Sequence, residues 1–170
     1  MKTNLILFFL LTATTLTINT VCAQSSAGET RSETRTSDVS AIRAVVERSR
    51  VAFDKRDLMA FADNFVNSPD LYYQILTGEQ QMIVAHGTEN MKKMVGGYFK
   101  VASTPATPGS YAITDVRVRV RGNTAYITAN GQEDKAMSRD FATLEKINGT
   151  WTITTLIGTY YGTGKFTEIK

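Results

Sequence analysis

The second half of the chain alternates apolar and polar residues through four successive segments, each long enough to form a β-strand. These run Tyr111 to Arg121, Thr124 to Glu133, Ser138 to Ile147 and Thr150 to Tyr161. Short turn sequences separate them, namely Gly122-Asn123, Asp134-Lys135-Ala136 and Asn148-Gly149. Such turns connect strands that lie next to each other and run in opposite directions. The sequence therefore predicts a four-stranded antiparallel meander.

The first of these strands predicts one buried face and one solvated face. Thr114 and the valines at 116, 118 and 120 share the buried face, and Asp115 and the arginines at 117, 119 and 121 share the other. A row of arginines can bind an anion or RNA, but we expect it to form cross-strand pairs with Glu133, Asp134 and Glu145. The formal net charge of +3 is too small to indicate a nucleic-acid-binding protein.

The preceding residues predict three helices and two short strands. Residues 38 to about 56 carry apolar side chains at helical spacing, and Asp57 is the expected N-cap of a second helix. Strands follow at Leu71 to Thr77 and Gln80 to His86, with a turn at Gly78-Glu79, and Thr88 caps a third helix. The resulting fold class is α+β, with a curved sheet wrapped around N-terminal helices.

The N-terminus has the pattern of a secretion signal. Lys2 precedes the apolar run Leu5 to Leu16, and Ala23 ends a suitable cleavage site, which predicts a signal peptide over residues 1–23 and a secreted or periplasmic protein. A membrane anchor is disfavoured because threonines interrupt the run, and lipidation at Cys22 is disfavoured by the residues before it. Residues 24–37 are nearly devoid of apolar side chains and predict a flexible linker before a single domain over 38–170.

The residues 38 to about 162 resemble the nuclear-transport-factor-2-like superfamily, and within it the SnoaL-like and ketosteroid-isomerase-like small bacterial domains. The resemblance is carried by Asp57 between the helices, by His86-Gly87-Thr88-Glu89, by the strand turn at Gly122-Asn123, and most specifically by Leu144 to Ile153 with Asn148-Gly149 and Trp151. It implies a cone-shaped α+β roll with a pocket between sheet and helices. It does not imply one chemistry, because this fold serves isomerases, dehydratases, cyclases and binding proteins alike.

Two regions that hold acid-base groups in isomerase-like members lack them here. The strand after the second helix offers Tyr72, Tyr73 and Gln74, which are poor bases at neutral pH, and the last strand offers Ile153, Thr155, Ile157 and Thr159. His86 is the only histidine and has no visible partner, so it predicts neither a metal site nor a catalytic dyad. The weak catalytic candidates are His86, Tyr72 and Tyr73, and no metal or cofactor is expected.

The sequence thus favours a module that binds a small, mostly apolar ligand and that forms a homodimer through its sheet. The alternative is a small isomerase, dehydratase or cyclase acting on a hydrophobic or polyketide-like substrate. The residues expected to line the pocket are Phe53, Phe61, Phe65, Tyr73, Tyr98, Ile127, Trp151, Ile153 and Thr155.

Overall fold

A computed structural model describes residues 19–77, 81–101, 111–133 and 136–162. The chain divides into two compact units, Met1–Thr36 and Ser37–Lys170. Its elements are α1 (Asn19–Asp54), α2 (Leu58–Ala62), β1 (Tyr72–Leu76), β2 (Met82–His86), α3 (Thr88–Val101), β3 (Tyr111–Arg121), β4 (Thr124–Glu133), β5 (Ala136–Ile147) and β6 (Thr150–Gly162). Residues 1–18 of the expected signal peptide and the expected turn at Gly78-Glu79 lie outside the described residues.

Helix α1 begins 19 residues before the predicted start at Asp38 and so includes residues 24–37. This segment contains no proline. Extending an existing helix orders only one residue for each hydrogen bond gained, whereas starting a new helix must order several residues for its first bond. The sequence pattern missed the extension because it relied on apolar spacing, which these residues lack. No helix in the described part of the chain is both long and apolar enough to cross a membrane.

The end of α1 and the start of α2 form one tight junction. Arg56 takes a left-handed conformation with φ 57°, and the Asp57 amide donates to the carbonyl of Ala52 at 2.9 Å. This 6→1 bond is the mark of a helix that ends in a Schellman-type turn. The Asp57 carboxylate then accepts the Ala60 amide at 3.0 Å, which confirms the predicted N-cap.

The six strands form one curved sheet in the order β2-β1-β6-β5-β4-β3. Strands β3 to β6 make the predicted antiparallel meander, with β3 and β4 at the predicted bounds. The β1–β2 hairpin joins them because β1 runs parallel to β6, with Tyr73 opposite Leu156. The α+β class with a curved sheet is thus confirmed.

Register shifts interrupt the sheet at three places, and those in β3 and in the middle of β6 change which residues face the helices. In β3 the register shifts between Thr114 and Arg117, where Asp115 has φ 49°. An extra residue in a strand reverses the alternation beyond it, so Thr114 lies on the exposed face and the prediction that it shares the buried face is wrong. A second shift lies in β6, where Leu144 pairs with Ile153 but Thr143 pairs with Thr155.

The hydrophobic core lies between the helices and one face of the sheet, called here the inner face. Its most buried side chains are Ile42, Leu71, Met91, Leu144 and Ile153. Polar contacts fix α1 on the sheet: the Asp38 carboxylate accepts from Lys146 at 2.7 Å and from the indole of Trp151 at 3.0 Å. The core therefore closes around the Trp-containing hairpin that the sequence singled out.

Candidate functional site

The three catalytic candidates from the sequence do not come together. Tyr72 and His86 are cross-strand partners on the outer face, with ring centroids 5.3 Å apart, and the Tyr72 hydroxyl donates to Gln74 Oε1 at 2.5 Å. Tyr73 points to the inner face and is buried. Since His86 is exposed on an edge strand, of the three only Tyr73 is placed to meet a ligand inside the domain.

Most of the aromatic residues expected to line a pocket pack against one another instead. Phe61 contacts Phe53, Phe65 and Tyr73 with ring centroids 5.6, 4.9 and 6.3 Å apart. Tyr98 is half-exposed and stacks on Phe53 at 5.6 Å, where the Arg56 guanidinium also lies 5.0 Å from the Tyr98 ring. The rings of Phe53, Phe61, Phe65 and Tyr73 therefore fill part of the core, and the ring of Tyr98 lies at its solvent-exposed edge.

The remaining expected pocket residues divide between core and outer face. Ile127, Trp151 and Ile153 are buried in the core. Thr155 stands opposite Tyr72 and Thr143, residues of the outer face, because the bulge in β6 reverses the alternation after Ile153. Its predicted position in the pocket is therefore wrong, and Ile157 lies on the outer face as well.

The same bulge brings polar residues to the inner face. Beyond it, Gly158 stands opposite Asp140 and Tyr160 stands opposite Ser138. On the next strand Ala129 pairs with Asp140, and Gly131 pairs with Ser138. One half of the inner face thus carries small and polar side chains, in contrast to the Leu144, Ile153 and Trp151 of the other half.

Tyr73, Asp140 and Tyr160 form an electrostatically linked group on this half of the inner face, called here the inner polar group. Burial raises the pKa of the Tyr73 phenol, and the nearby Tyr160 and Asp140 raise it further. The phenol therefore stays protonated at neutral pH and acts as a hydrogen-bond donor. A carboxylate of Asp140 can accept hydrogen bonds or remove a proton, so the pair provides complementary roles.

The glycine at position 158 explains how Asp140 fits there. A Cβ placed on Gly158 would come within 3.3 Å of Asp140 Oδ1 and within 2.8 Å of Ile75 Cδ1. Side chains with a Cβ are excluded at such distances unless their neighbours move. Gly158 therefore leaves room on the inner face for the carboxylate.

Sequence reasoning missed Asp140, Ser138 and Tyr160. Counting back in twos from the inward Leu144 reaches Ala142, Asp140 and Ser138, so the alternation of β5 contained the signal for two of them. Tyr160 had no such signal, because its orientation depends on the bulge.

The arginine row of β3 stays on the outer face. Arg117 pairs with Asp115 of its own strand at 3.0 Å, and Arg139 of β5 approaches the same carboxylate at 3.6 Å. Glu145, an expected partner, forms no ion pair within the described residues, and Asp134 and the Glu133 side chain lie outside them. Arg119 and Arg121 border an open depression of about 350 Å³ together with Tyr126, Thr143 and Glu145.

Groups that could bind a metal ion are not formed by the described residues, since no three histidine, cysteine or acidic side chains cluster there. A second depression, of about 280 Å³, lies between α2 and α3 beside Asp63, Asn67 and Lys92. Neither depression adjoins the inner polar group. Among the described residues, the inner polar group is therefore the candidate site for a ligand inside the domain.

No protein-family model and no curated protein sequence matches the chain. Solved structures of low sequence identity do match. An NTF2-like protein of unknown function from Pseudomonas putida has a TM-score of 0.61 at 14% identity, over 73% of this chain and 87% of that one. An NTF-2-like protein of unknown function from Silicibacter pomeroyi has a TM-score of 0.59 at 19% identity, over 74% and 98%.

A third similar structure is an NTF2-like family protein from Streptomyces avermitilis that is named as a suspected dehydratase. It has a TM-score of 0.58 at 14% identity and covers 74% of this chain and 96% of that one. At such identities the likeness extends to the fold and not to the activity. The chain has the cystatin-like fold of NTF2-like proteins.

Proposed function

We propose that the protein binds a small, mostly apolar molecule between the inner face of the sheet and the helices. A hydroxyl group of the molecule hydrogen-bonds to both Tyr73 and Asp140, or a carbonyl oxygen accepts a hydrogen bond from Tyr73 alone. The observation that carries the proposal is the change of character along the inner face, from bulky apolar side chains to Gly131, Ser138, Asp140 and Gly158. Ligand sites typically combine apolar walls with a few polar groups.

The chemistry of the group defines the ligand class. The Tyr73 phenol stays protonated and donates, and the Asp140 carboxylate accepts, so an alcohol satisfies both and a ketone satisfies the donor. The surrounding Ile75 and the buried alanines offer only apolar contacts to the rest of the molecule. A strongly charged ligand would lose its hydration without an opposite charge to replace it.

Native mass spectrometry of the protein purified from its producing cells tests this proposal. We expect a small molecule to leave the protein on denaturation, and we expect Tyr73→Phe and Asp140→Asn each to reduce its occupancy about tenfold, as for the loss of one hydrogen bond in a dry site. Tyr72→Phe is the matched control, because it removes the neighbouring hydroxyl from the outer face. If the wild type and all three variants carried the same amount of bound molecule, the assignment of the site would be overturned.

A second function, proton transfer of the isomerase or dehydratase type, is favoured by one observation. The sequence indicated no carboxylate at the usual acid-base positions, whereas the structure places Asp140 on the inner face near a phenol that stays protonated. A base beside a donor that holds a carbonyl oxygen is the arrangement needed to move a proton next to that carbonyl. A β,γ-unsaturated cyclic ketone is a suitable probe, and its isomerisation should depend on Asp140 and not on His86.

We also propose that the protein acts outside the cytoplasm, as the apolar run before Ala23 predicts. Mass determination of the protein recovered from the periplasm or medium tests this, with a mature N-terminus at Gln24 as the expected result. Full-length chain confined to the cytoplasm would contradict it.

A further inference from the structure

The two edges of the six-stranded sheet differ in how well they are protected. At the β3 edge, a bulge and three arginines interrupt the strand, and Arg43 of α1 donates to the carbonyl of Val116 at 3.1 Å. Bulges and charged side chains are the usual means of preventing edge strands from pairing. This edge is therefore closed to a further strand.

Within the described residues, the β2 edge has none of these features. Its sequence, Met82 to His86, contains no acidic residue, lysine, arginine, proline or glycine, and forms a regular hairpin arm without a bulge. Met82, Ile83 and Val84 are exposed by 62, 36 and 38%. An apolar, uninterrupted edge strand is a template for pairing with another strand.

The hydrogen-bond pattern shows which groups of β2 are free to pair. The Thr77 amide donates to the Gln81 carbonyl at 2.9 Å, and the Gly87 amide donates to the Leu71 carbonyl at 2.8 Å. In an antiparallel ladder the bonded pairs recur every two residues, so positions 81, 83, 85 and 87 turn toward β1. The backbone amides and carbonyls of Met82, Val84 and His86 consequently point away from the sheet.

We propose that a second copy of this chain pairs with the β2 edge, antiparallel and about a two-fold axis at Val84. This register sets Val84 opposite Val84 of the partner subunit and Met82 opposite His86 of the partner subunit. In all three residues the backbone amide and carbonyl point away from β1. Each residue can therefore exchange hydrogen bonds with the residue opposite it in the partner subunit. The pairing extends the sheet from six strands to twelve across the two copies.

The side chains of β2 suit this occupant. On the outer face Val84 meets its own copy, and β-branched residues pair well across strands. His86 meets Met82 rather than another His86, so protonation does not bring like charges together. The His86 carbonyl already accepts from Asn90 Nδ2 at 2.9 Å, and a carbonyl has a second lone pair for the partner strand.

Sedimentation across a micromolar concentration series, with the full chain, is the first experiment. We expect a concentration-dependent dimer, and we expect Val84→Lys to weaken it at least about tenfold by placing two ammonium groups on the axis. Val84→Thr keeps the branched side chain and should preserve the dimer. Tyr126→Lys, at an exposed ring on the outer face, is the control that separates edge pairing from face-to-face association.

A cross-link supplies a readout that does not depend on the stability of these variants. Opposed residues of a bonded pair have Cα atoms about 5.5 Å apart, within the range that a disulfide spans. In a Cys22→Ser background, Val84→Cys should form a covalent dimer on oxidation and Tyr126→Cys should not. A monomer at all concentrations, a dimer lost with Tyr126→Lys but kept with Val84→Lys, or pairing only with a peptide from another protein would each overturn the proposal.

Discussion

The indole nitrogen of Trp151 donates a hydrogen bond to Asp38 at 3.0 Å, across 113 residues of sequence. The same carboxylate oxygen accepts from Lys146 at 2.7 Å, so one buried acid joins α1 to both strands of the last hairpin. The contact lies at the hairpin that the sequence singled out, and it explains why a tryptophan there needs a polar neighbour.

We expect Asp38→Ala to lower the free energy of unfolding by about 1–3 kcal/mol, since it leaves the buried indole N–H and the Lys146 ammonium without their acceptor. Asp38→Asn keeps an oxygen for Trp151 and should cost less. Urea denaturation followed by Trp fluorescence measures both, because this is the only tryptophan. Equal losses in the two variants would show that the Lys146 pair, not the indole bond, accounts for the effect.

The Asp38 interaction should also depend on pH. Its hydrogen bond to Lys146 and, less strongly, that to Trp151 hold the pKa of the carboxyl below its ordinary value, although burial opposes them. A carboxyl with a lowered folded-state pKa stabilises the fold above its unfolded pKa of about 3.9 and loses this contribution as the pH falls through the folded value. The stability difference between wild type and Asp38→Asn should therefore be constant near neutral pH and shrink below about pH 4.

Gly87 should be intolerant of any side chain. Its φ of 79° disfavours L residues, and a Cβ there would lie 3.3 Å from the Cα of Pro69. We expect Gly87→Ala to destabilise the fold by about 1–3 kcal/mol. Gly97, in α3 with no atom near a new Cβ, is the control, and Gly97→Ala should instead stabilise by about 0.5–1 kcal/mol. Thermal unfolding of both variants would show shifts of opposite sign.

The Thr88 hydroxyl should matter more than its methyl group. Its Oγ1 donates to the Val66 carbonyl at 2.7 Å and accepts the Ser68 amide at 3.0 Å, and the residue is buried. Thr88→Val leaves both backbone groups without this partner and should cost about 1–3 kcal/mol, whereas Thr88→Ser should cost much less. Chemical denaturation compares the pair, and similar losses would assign the effect to packing.

Much of the fold followed from local patterns in the sequence. Alternation and turn residues predicted β3 and β4 at their observed bounds, and the Asp57 cap was predicted from one side chain at a helix start. Such signals are readable because each depends on neighbours only a few residues away. The parallel pairing of β1 with β6 had no local signal, since it joins residues about 80 positions apart.

The candidate site was less predictable because single-residue insertions decide which residues enter it. The bulge near Thr155 moves that residue to the outer face and turns Tyr160 inward. A bulge leaves no apolar or polar mark in the sequence, so strict alternation assigned Thr155, Ile157 and Thr159 to the wrong face. Asp140 lies in a stretch of β5 that contains no inserted residue, so strict alternation could have predicted that it faces inward.

The position of β6 in the sheet has a consequence for how the protein is made. This strand is the last element of the described chain, yet it lies between β1 and β5 and is the sole strand connecting the β1–β2 hairpin to the rest of the sheet. During synthesis the hairpin emerges first and has no sheet to join until Thr150–Gly162 has left the ribosome. The nascent chain therefore exposes unfinished strands from the time the hairpin emerges until β6 is complete, and premature termination or slow elongation in this interval would favour aggregation.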